Sequence, residues 1–139
     1  MNVKIKLDDG AKMPVRAHKW DGGYDLFSRE EWTIYPGEYH EFDTGVHILI
    51  PHGLCGLIVS KSGLNSKENI QSTGLIDCDY TGSIRVKLYN FGKARVHIAE
   101  GQKVSQIVFL PVFAADWEKV DEFESTDRGE GGFGSSGKF

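Results

Sequence analysis

Hydrophobic and polar residues alternate one for one in several short runs along the chain. Such runs lie at residues 3–7, 46–50, 84–89 and 96–98. A period of two is typical of β-strands that bury one face, because successive side chains point to opposite sides of a strand. No long window shows the 3.6-residue period of a helix, and at most a short helical turn is predicted at residues 66–70. The pattern therefore predicts an all-β chain.

Turn-forming residues separate these runs and narrow the choice of fold. Clusters that contain Asp, Gly or Pro lie at residues 8–10, 21–23, 35–37, 51–53, 79–82 and 100–101. Many short strands joined by such turns indicate a β-barrel or a jelly-roll sandwich. The 139 residues fit one domain, and the 40% that are hydrophobic suffice for a core without an extra staple.

The C-terminal part of the chain departs from this pattern. An acidic stretch at residues 121–127 precedes RGEGGFGSSGKF at residues 128–139, which holds five glycines and cannot bury enough apolar surface to fold alone. Composition by itself favours a frayed terminus. However, Arg128 and Phe133 stand among exposed backbone amides, and such a set suits phosphates and a base together. We therefore predict a β-barrel domain at residues 1–127 and a flexible lid at residues 128–139.

Charge and cysteine content exclude several classes of partner. The formal net charge is -4 and basic residues form no run, so no nucleic-acid binding is expected. No apolar stretch approaches the roughly 20 residues of a membrane span. Cys55 and Cys78 follow no secretory signal, and we expect reduced thiols in a cytoplasmic protein.

The segment GLIDCDYTGSIRVKLYN, residues 74–90, carries the most chemical information. Asp77 and Asp79 are two positions apart, so on a strand they point to the same side. A hairpin turn with an Asx hydrogen bond explains Asp79 well. It explains Asp77 less well, because Asp77 follows apolar or small residues, where a carboxylate is costly to ionise and becomes a candidate general base.

Three further segments offer polar groups in apolar surroundings. In SKSGLNSK, residues 60–67, Lys61 and the amides near Ser62 and Gly63 could hold a phosphate, although without other evidence a solvated loop explains them better. Asp25 in GGYDLFS could help to hold hydrated Mg²⁺, which needs few carboxylates. Gln106 is the odd polar residue of an apolar strand, and backbone partners could satisfy it.

Taken together and in this order, these segments resemble the five motifs of the trimeric dUTPase family. The matching segments are GGYDLFS (22–28), SKSGLNSK (60–67), GLIDCDYTGSIRVKLYN (74–90), GQKVSQIVFLPV (101–112) and RGEGGFGSSG (128–137). One departure is Lys61, which stands where the family usually has Arg and lacks the bidentate fork of a guanidinium. The resemblance implies a jelly-roll-like β-barrel and a homotrimer whose sites are shared between subunits.

The resemblance also implies an activity, hydrolysis of dUTP to dUMP and pyrophosphate with Mg²⁺, which limits uracil in DNA and supplies dUMP for dTMP synthesis. It implies that Asp77 activates the water that attacks the α-phosphorus, and that Tyr80 lies under the deoxyribose and refuses a 2′-hydroxyl. The implied contacts to the uracil side are Gly74, Leu75, Ile76 and Arg85, together with Gln71, a second departure that stands where some relatives carry Asn near the base.

Phosphate and lid contacts complete the set that the resemblance implies. Lys61, Ser62, Gly63 and Gln106 line the phosphate path, and Asp25 reaches Mg²⁺ through water. Arg128 pairs with the outer phosphates, while Phe133 stacks on uracil beside Gly134.

Two alternatives stay open at this point. A dCTP deaminase shares the implied fold but needs a further catalytic Glu, and the glutamates fall outside the five segments except Glu130 and Glu100, which directly precedes the fourth segment. A regulatory protein could use the same scaffold to bind dUTP or a protein partner.

Overall fold

The computed structural model describes residues 1–132, and within them the chain is almost entirely β-structure. Eleven strands and one helix follow each other along the chain. They are β1 (Lys4–Leu7), β2 (Tyr24–Phe27), β3 (Trp32–Ile34), β4 (Tyr39–Asp43), β5 (Val46–Leu49), β6 (Leu54–Ser60), α1 (Ser62–Glu68), β7 (Ile70–Gln71), β8 (Thr73–Ile76), β9 (Arg85–Asn90), β10 (Val96–Ile98) and β11 (Lys103–Pro111). The all-β prediction is confirmed.

The strands form four antiparallel sheets. The largest has the order β2-β11-β6-β8, a second has β4-β9-β7, and the pairs β1-β5 and β10-β3 complete the set. Most neighbours are distant in sequence, as in β2 with β11 and β4 with β9. Such long-range antiparallel pairing around one core is a jelly-roll-like arrangement, as predicted.

The core is built from the inward positions of the alternating runs. In β9 the buried residues are Val86, Leu88 and Asn90, while Arg85 on the other face is exposed. Val86 and Leu88 are fully buried and belong to one apolar cluster with Phe42 of β4. Burial of one such side chain is worth about 1.5–3 kcal/mol, so the period of two supplies much of the driving force for folding.

The helix corrects one expectation. Helix α1 covers Ser62–Glu68, so it begins earlier and is longer than the turn predicted at residues 66–70, and Ile70 already belongs to β7. Asn69 ends the helix with a left-handed φ of 52°, and its N–H reaches back to the carbonyl of Asn65. Seven residues make only two turns, too few for a hydrophobic period to stand out.

The chain beyond β11 makes few contacts with the barrel. Val112 donates a backbone hydrogen bond to Gly53. Beyond it, Phe113, Trp117 and Phe123 are 87%, 95% and 93% exposed. The division into a barrel and a lid stays a prediction, and Phe133 and Gly134 lie outside the described residues. No helix within residues 1–132 is long and apolar enough to cross a membrane.

Candidate active site

A buried carboxylate held between two lysines lies at one end of the largest sheet. Asp25 of β2 is only 5% exposed. Its Oδ1 lies 2.5 Å from Nζ of Lys61, and its Oδ2 lies 2.7 Å from Nζ of Lys103. We call these three residues the lysine–aspartate cluster. Two ammonium groups and one carboxylate leave it with one net positive charge, which suits an anion.

Sheet pairing explains how three distant segments meet here. β2 and β6 flank β11 on its two sides. Lys103 begins β11, Asp25 pairs with Gln106 of the same strand, and Lys61 follows the last residue of β6. Burial raises the pKa of Asp25, but hydrogen bonds and charge from Lys103 and Lys61 outweigh it and hold that pKa below its usual range. Asp25 is therefore ionised at neutral pH.

Gln106 lies beside this cluster, and its side-chain amide has a backbone partner, as the sequence analysis allowed. Its Nε2 donates to the carbonyl of Ser60 at 3.2 Å, so a backbone partner satisfies it. A Cβ on Gly23 would lie 2.5 Å from the Gln106 Oε1 and 3.2 Å from its Cβ. Only glycine at position 23 therefore leaves Gln106 its place next to Asp25.

The other candidate residues lie around the connection from β8 to β9. Residues 77–84 form this connection, and β8 and β9 lie in different sheets and do not pair, so the hairpin expected from the sequence is not formed. We use the name hairpin loop for residues 77–83. The N–H of Tyr80 donates to the carbonyl of Asp77 at 3.2 Å, and the Tyr80 hydroxyl donates to the carbonyl of Ser83 at 3.0 Å. Gly82 faces the Tyr80 ring so closely that a Cβ there would lie 2.9 Å from Cε2. The loop is thus folded around the Tyr80 ring.

Two expectations about this loop are wrong for the single chain. Asp77 is exposed rather than buried among apolar neighbours. Leu75, two positions earlier and on the same side of the strand, is 62% exposed, while Ile76 between them is buried. Asp79 makes no side-chain hydrogen bond within residues 1–132, and the backbone contact of Tyr80 closes the turn instead. A strand that ends at a sheet edge leaves its last side chains open unless another surface covers them.

Strand β8 presents a free backbone edge next to Asp77. It is the last strand of its sheet, and Gly74, Leu75 and Ile76 pair on one side only, with β6. The N–H and C=O groups of an edge strand are available to another polar partner. Gln71 is exposed on β7, and Arg85 at the start of β9 pairs with Glu41 at 2.9 Å, which raises the Arg85 pKa.

The predicted site residues therefore form two groups in one chain. The lysine–aspartate cluster contains Lys61 and Asp25 and adjoins Gln106, with Ser62 and Gly63 exposed in the first turn of α1. The second group comprises the hairpin loop and β8. No hydrogen bond or ion pair among the described residues joins the two groups. Arg128 lies apart from both and donates from Nε to the carbonyl of Gly131 at 2.8 Å.

Lys103 is the residue that sequence reasoning missed. It stands in the fourth segment and reads there as an ordinary cation before an apolar strand. Its role depends on the β2–β11 register, which places Lys103 opposite Phe27 with an irregularity before Ser105. No signal in the linear sequence connects Lys103 with Asp25, 78 positions earlier.

The donor set limits how Mg²⁺ could be held. Within residues 1–132, no group of three or more His, Cys, Asp or Glu residues is arranged to hold a metal ion. Both oxygens of Asp25 already accept from lysines. A carboxylate has about four lone-pair directions, so Asp25 can still accept hydrogen bonds from metal-bound waters. The residues fit Mg²⁺ held through water on a phosphate ligand, in keeping with its reluctance to lose water.

Comparisons of the sequence and of the structure with known proteins identify the same family over nearly the whole chain. A family model described as dUTPase matches residues 9–137. The deoxyuridine 5'-triphosphate nucleotidohydrolase of Clostridium acetobutylicum is 40% identical over 141 residues, which cover 99% of this chain and 97% of that protein. The dUTPase of Staphylococcus bacteriophage 80alpha, solved with dUPNHPP, superposes with a TM-score of 0.92 at 33% identity and 99% coverage of both chains.

A second solved structure adds a metal. A mutant dUTPase from phage phi11 of S. aureus, described with a structural Mg(II) ion, superposes with a TM-score of 0.82 at 30% identity and covers 90% of this chain and 100% of that one. The family match includes all five segments singled out in the sequence. It supports the dUTPase interpretation over the deaminase alternative, and the chain belongs to the dUTPase family.

Proposed function

We propose that this dUTPase hydrolyses dUTP to dUMP and pyrophosphate, with Asp77 as the base that activates the attacking water. The observation that carries this proposal is an exposed carboxylate at the end of an open edge strand, next to a tyrosine-centred loop. An open carboxylate can reach a water molecule beside a bound phosphate, as a general base must.

Uracil recognition follows from the free edge of β8. The backbone groups of Leu75 and Ile76 can pair with the polar edge of a base in the way that another strand would. The resemblance adds Gln71, Gly74 and Arg85 to this side of the site. A base that lacks the matching donors and acceptors would leave buried polar groups unpaired, which discriminates strongly between substrates.

Sugar selection is assigned to Tyr80. Its hydroxyl donates to the carbonyl of Ser83, and Gly82 lies against the same end of the ring. Because these contacts restrain the hydroxyl end of the ring, it cannot easily move aside for a bulkier sugar. A 2′-hydroxyl on the substrate would therefore meet a fixed surface, so UTP is refused.

Phosphate binding is assigned to the lysine–aspartate cluster. Lys61 and Lys103 can each turn an ammonium N–H toward a phosphate oxygen while Asp25 keeps the two lysines in place. Ser62, Gly63 and Gln106 supply further polar groups nearby. Mg²⁺ bound to the triphosphate would neutralise charge there, with Asp25 facing it through water. Phosphoryl transfer depends mainly on such positioning and neutralisation.

A homotrimer with shared sites would unite the two groups. In a single chain no polar contact among the described residues joins the lysine–aspartate cluster to the hairpin loop, and Phe113, Trp117 and Phe123 are exposed. Large apolar side chains exposed to this extent favour association. We infer that one subunit supplies the hairpin loop and another supplies the phosphate side.

The lid remains part of the proposal. Arg128 would pair with the outer phosphates, and Phe133 beside Gly134 would stack on uracil. The two free cysteines, Cys55 and Cys78, agree with an intracellular, cytoplasmic location. There the reaction would limit uracil in DNA and supply dUMP.

The test is an assay of pyrophosphate release from dUTP in the presence of Mg²⁺, run beside UTP and dCTP. We expect turnover of dUTP only. Ammonia release from dCTP would indicate a deaminase, and comparable turnover of UTP would contradict the role given to Tyr80. Tight binding of dUTP without release of pyrophosphate would favour a purely regulatory protein.

A further inference from the structure

His47 connects the first strand pair to the hairpin loop. It lies on β5 with its side chain 21% exposed. Its Nδ1 is 2.9 Å from the carbonyl oxygen of Thr81, the residue after Tyr80. Its Nε2 is 3.2 Å from Oδ1 of Asp8, and this buried nitrogen has no hydrogen-bond partner of good geometry within residues 1–132. The ring thus bridges a fixed carboxylate and the loop.

The two partners of His47 are both acceptors. Neither a carbonyl oxygen nor an ionised carboxylate can donate, and a neutral imidazole carries a single N–H. The ring therefore keeps the hydrogen bond to Thr81 and the ion pair with Asp8 together only when it is a doubly protonated imidazolium. In the neutral ring, one nitrogen would point a lone pair at an oxygen and that contact would be lost.

The Asp8 side of this bridge is well anchored. The N–H of Asp8 donates to the carbonyl of Gly45 at 2.9 Å, and Arg29 approaches the Asp8 Oδ2 at 3.7 Å. On the loop side, Thr81 is exposed and its carbonyl has no other partner among the described residues. His47 therefore ties the loop beside Tyr80 to β5, while Ser83 ties the end of the same loop to Asp43 of β4.

We propose that His47, held by Asp8, is a positioning residue that fixes the hairpin loop at Thr81 and thereby sharpens the rejection of ribonucleotides by Tyr80. This role deepens the proposed function and rests on the assignment of Tyr80 to the sugar.

The charges around His47 decide the direction of its pH dependence. The hydrogen bond to the Thr81 carbonyl and the Asp8 carboxylate raise the His47 pKa, whereas partial burial and Lys6, its pairing partner on β1, lower it, with a net increase. Two further cations lie nearby. Lys4 lines the surface groove next to His47, and Arg29 lies 3.7 Å from the Asp8 carboxylate. Because the pKa is raised in the folded state, the bridge is complete at low pH and is lost as pH rises through that pKa.

The experiment compares kcat/KM for dUTP with kcat/KM for UTP, in the full-length protein, across neutral and alkaline pH. Ionisation of the substrate phosphates affects both substrates alike and cancels in this ratio. We expect the ratio to fall as pH rises. In His47→Gln it should be roughly two- to tenfold lower at neutral pH, the worth of one net hydrogen bond, and independent of pH.

Two variants make the test specific. Asp8→Asn removes the charge that raises the His47 pKa, so the fall in the ratio should move to lower pH. His97→Gln is the matched control, because His97 is a histidine on β10 whose Nδ1 bonds Thr33 outside the hairpin loop. It should leave the ratio and its pH profile unchanged.

Several outcomes would overturn the proposal. An unchanged ratio and profile in His47→Gln would do so, and so would a lower melting temperature with no change in the ratio, since that is a merely structural effect. NMR of the His47 ring nitrogens supplies a readout that does not require turnover. Two protonated nitrogens are expected at low pH with a midpoint that Asp8→Asn lowers, and an unmoved midpoint contradicts the bridge even if the protein proves inactive toward dUTP.

Discussion

The lysine–aspartate cluster and the hairpin loop differ in how their aspartates are held: one aspartate is buried on a paired strand, and the other is exposed in a loop. Asp25 is buried in a paired strand and both its oxygens are occupied by lysines. Asp77 is exposed in a connection that a few hydrogen bonds hold in shape. A phosphate site needs concentrated positive charge at a fixed place, whereas a base that activates water needs an accessible carboxylate. The two aspartates therefore differ in environment as their proposed tasks require.

The largest effect is expected from a substitution of the proposed base, Asp77, in the hairpin loop. Asp77→Asn preserves the shape of the side chain and removes its basicity, so kcat for dUTP should fall by about 10²–10⁴-fold while binding of a non-hydrolysable analogue is kept. Because Asp77 is exposed, the melting temperature should not change. Steady-state kinetics and calorimetric binding measure both quantities.

Asp79→Asn is the matched control for this substitution. It removes a charge from the same loop, two positions away, and should leave kcat within a few-fold of the unmodified protein. A variant at Asp77 that turns over dUTP at the normal rate contradicts the assignment of the base.

On the phosphate side, Lys103→Met should weaken substrate binding. It removes one ammonium group from the lysine–aspartate cluster and leaves Asp25 paired with Lys61. Charge-assisted hydrogen bonds contribute about 1.5–3 kcal/mol, and Lys103 is 39% exposed, so we expect the low end, a KM for dUTP roughly tenfold higher. Lys93→Met, at an exposed lysine outside the site, should not alter KM. Equal values in the two variants would remove Lys103 from the site.

Asp25→Asn should lower the free energy of unfolding more than it affects the chemical step. It leaves two ammonium groups facing a neutral amide, and we expect a loss of about 1–3 kcal/mol in the free energy of unfolding, discounted for the partial exposure of both lysines. Urea unfolding measures it. Because the pKa of Asp25 is lowered in the folded protein, its contribution is present above the unfolded pKa and is lost as pH falls through the folded value. The two proteins should therefore converge in stability in acid.

The smallest effect is expected from a substitution that shifts the Tyr80 ring within the hairpin loop. Gly82→Ala places a methyl group against the Tyr80 ring and should displace it. We expect kcat/KM for dUTP to fall roughly two- to tenfold, about the cost of disturbing one net hydrogen bond, with a melting temperature near that of the unmodified protein. Gly22→Ala, where a Cβ would meet nothing within 4 Å and where the site has no assigned contact, is the steric control. Selectivity against UTP that survives Gly82→Ala intact would argue that the ring position is not critical.

Local patterns predicted the strands well and the helix poorly. The runs at residues 46–50 and 84–89 became β5 and β9 because alternation is a property of adjacent residues. Helix α1 was missed over its first residues because its N-cap, Lys61, makes no side-chain hydrogen bond to it. Its clearest signal is the left-handed Asn69, which marks an end and not a beginning.

For the site too, the sequence predicted one property and not another: it predicted which residues are candidates, but not their burial. The motif order identified Asp25, Lys61 and Asp77 as candidates, and their environments were decided elsewhere. Apolar neighbours in sequence suggested that Asp77 is buried, yet it lies past the end of an edge strand and is exposed in this chain. Asp25, for which the sequence suggested only a weak metal contact, is the carboxylate that the fold buries.

The all-β class, the inward faces of the strands and the family can be read from the linear sequence, because these depend on residue types at short or characteristic spacing. The contacts of Lys103 with Asp25 and of His47 with Thr81, across 78 and 34 positions of the chain, arise only from the folded arrangement of the strands. Such pairs depend on which strands become neighbours and in which register. That choice is made by the burial of the whole core, and no local stretch of residues records it.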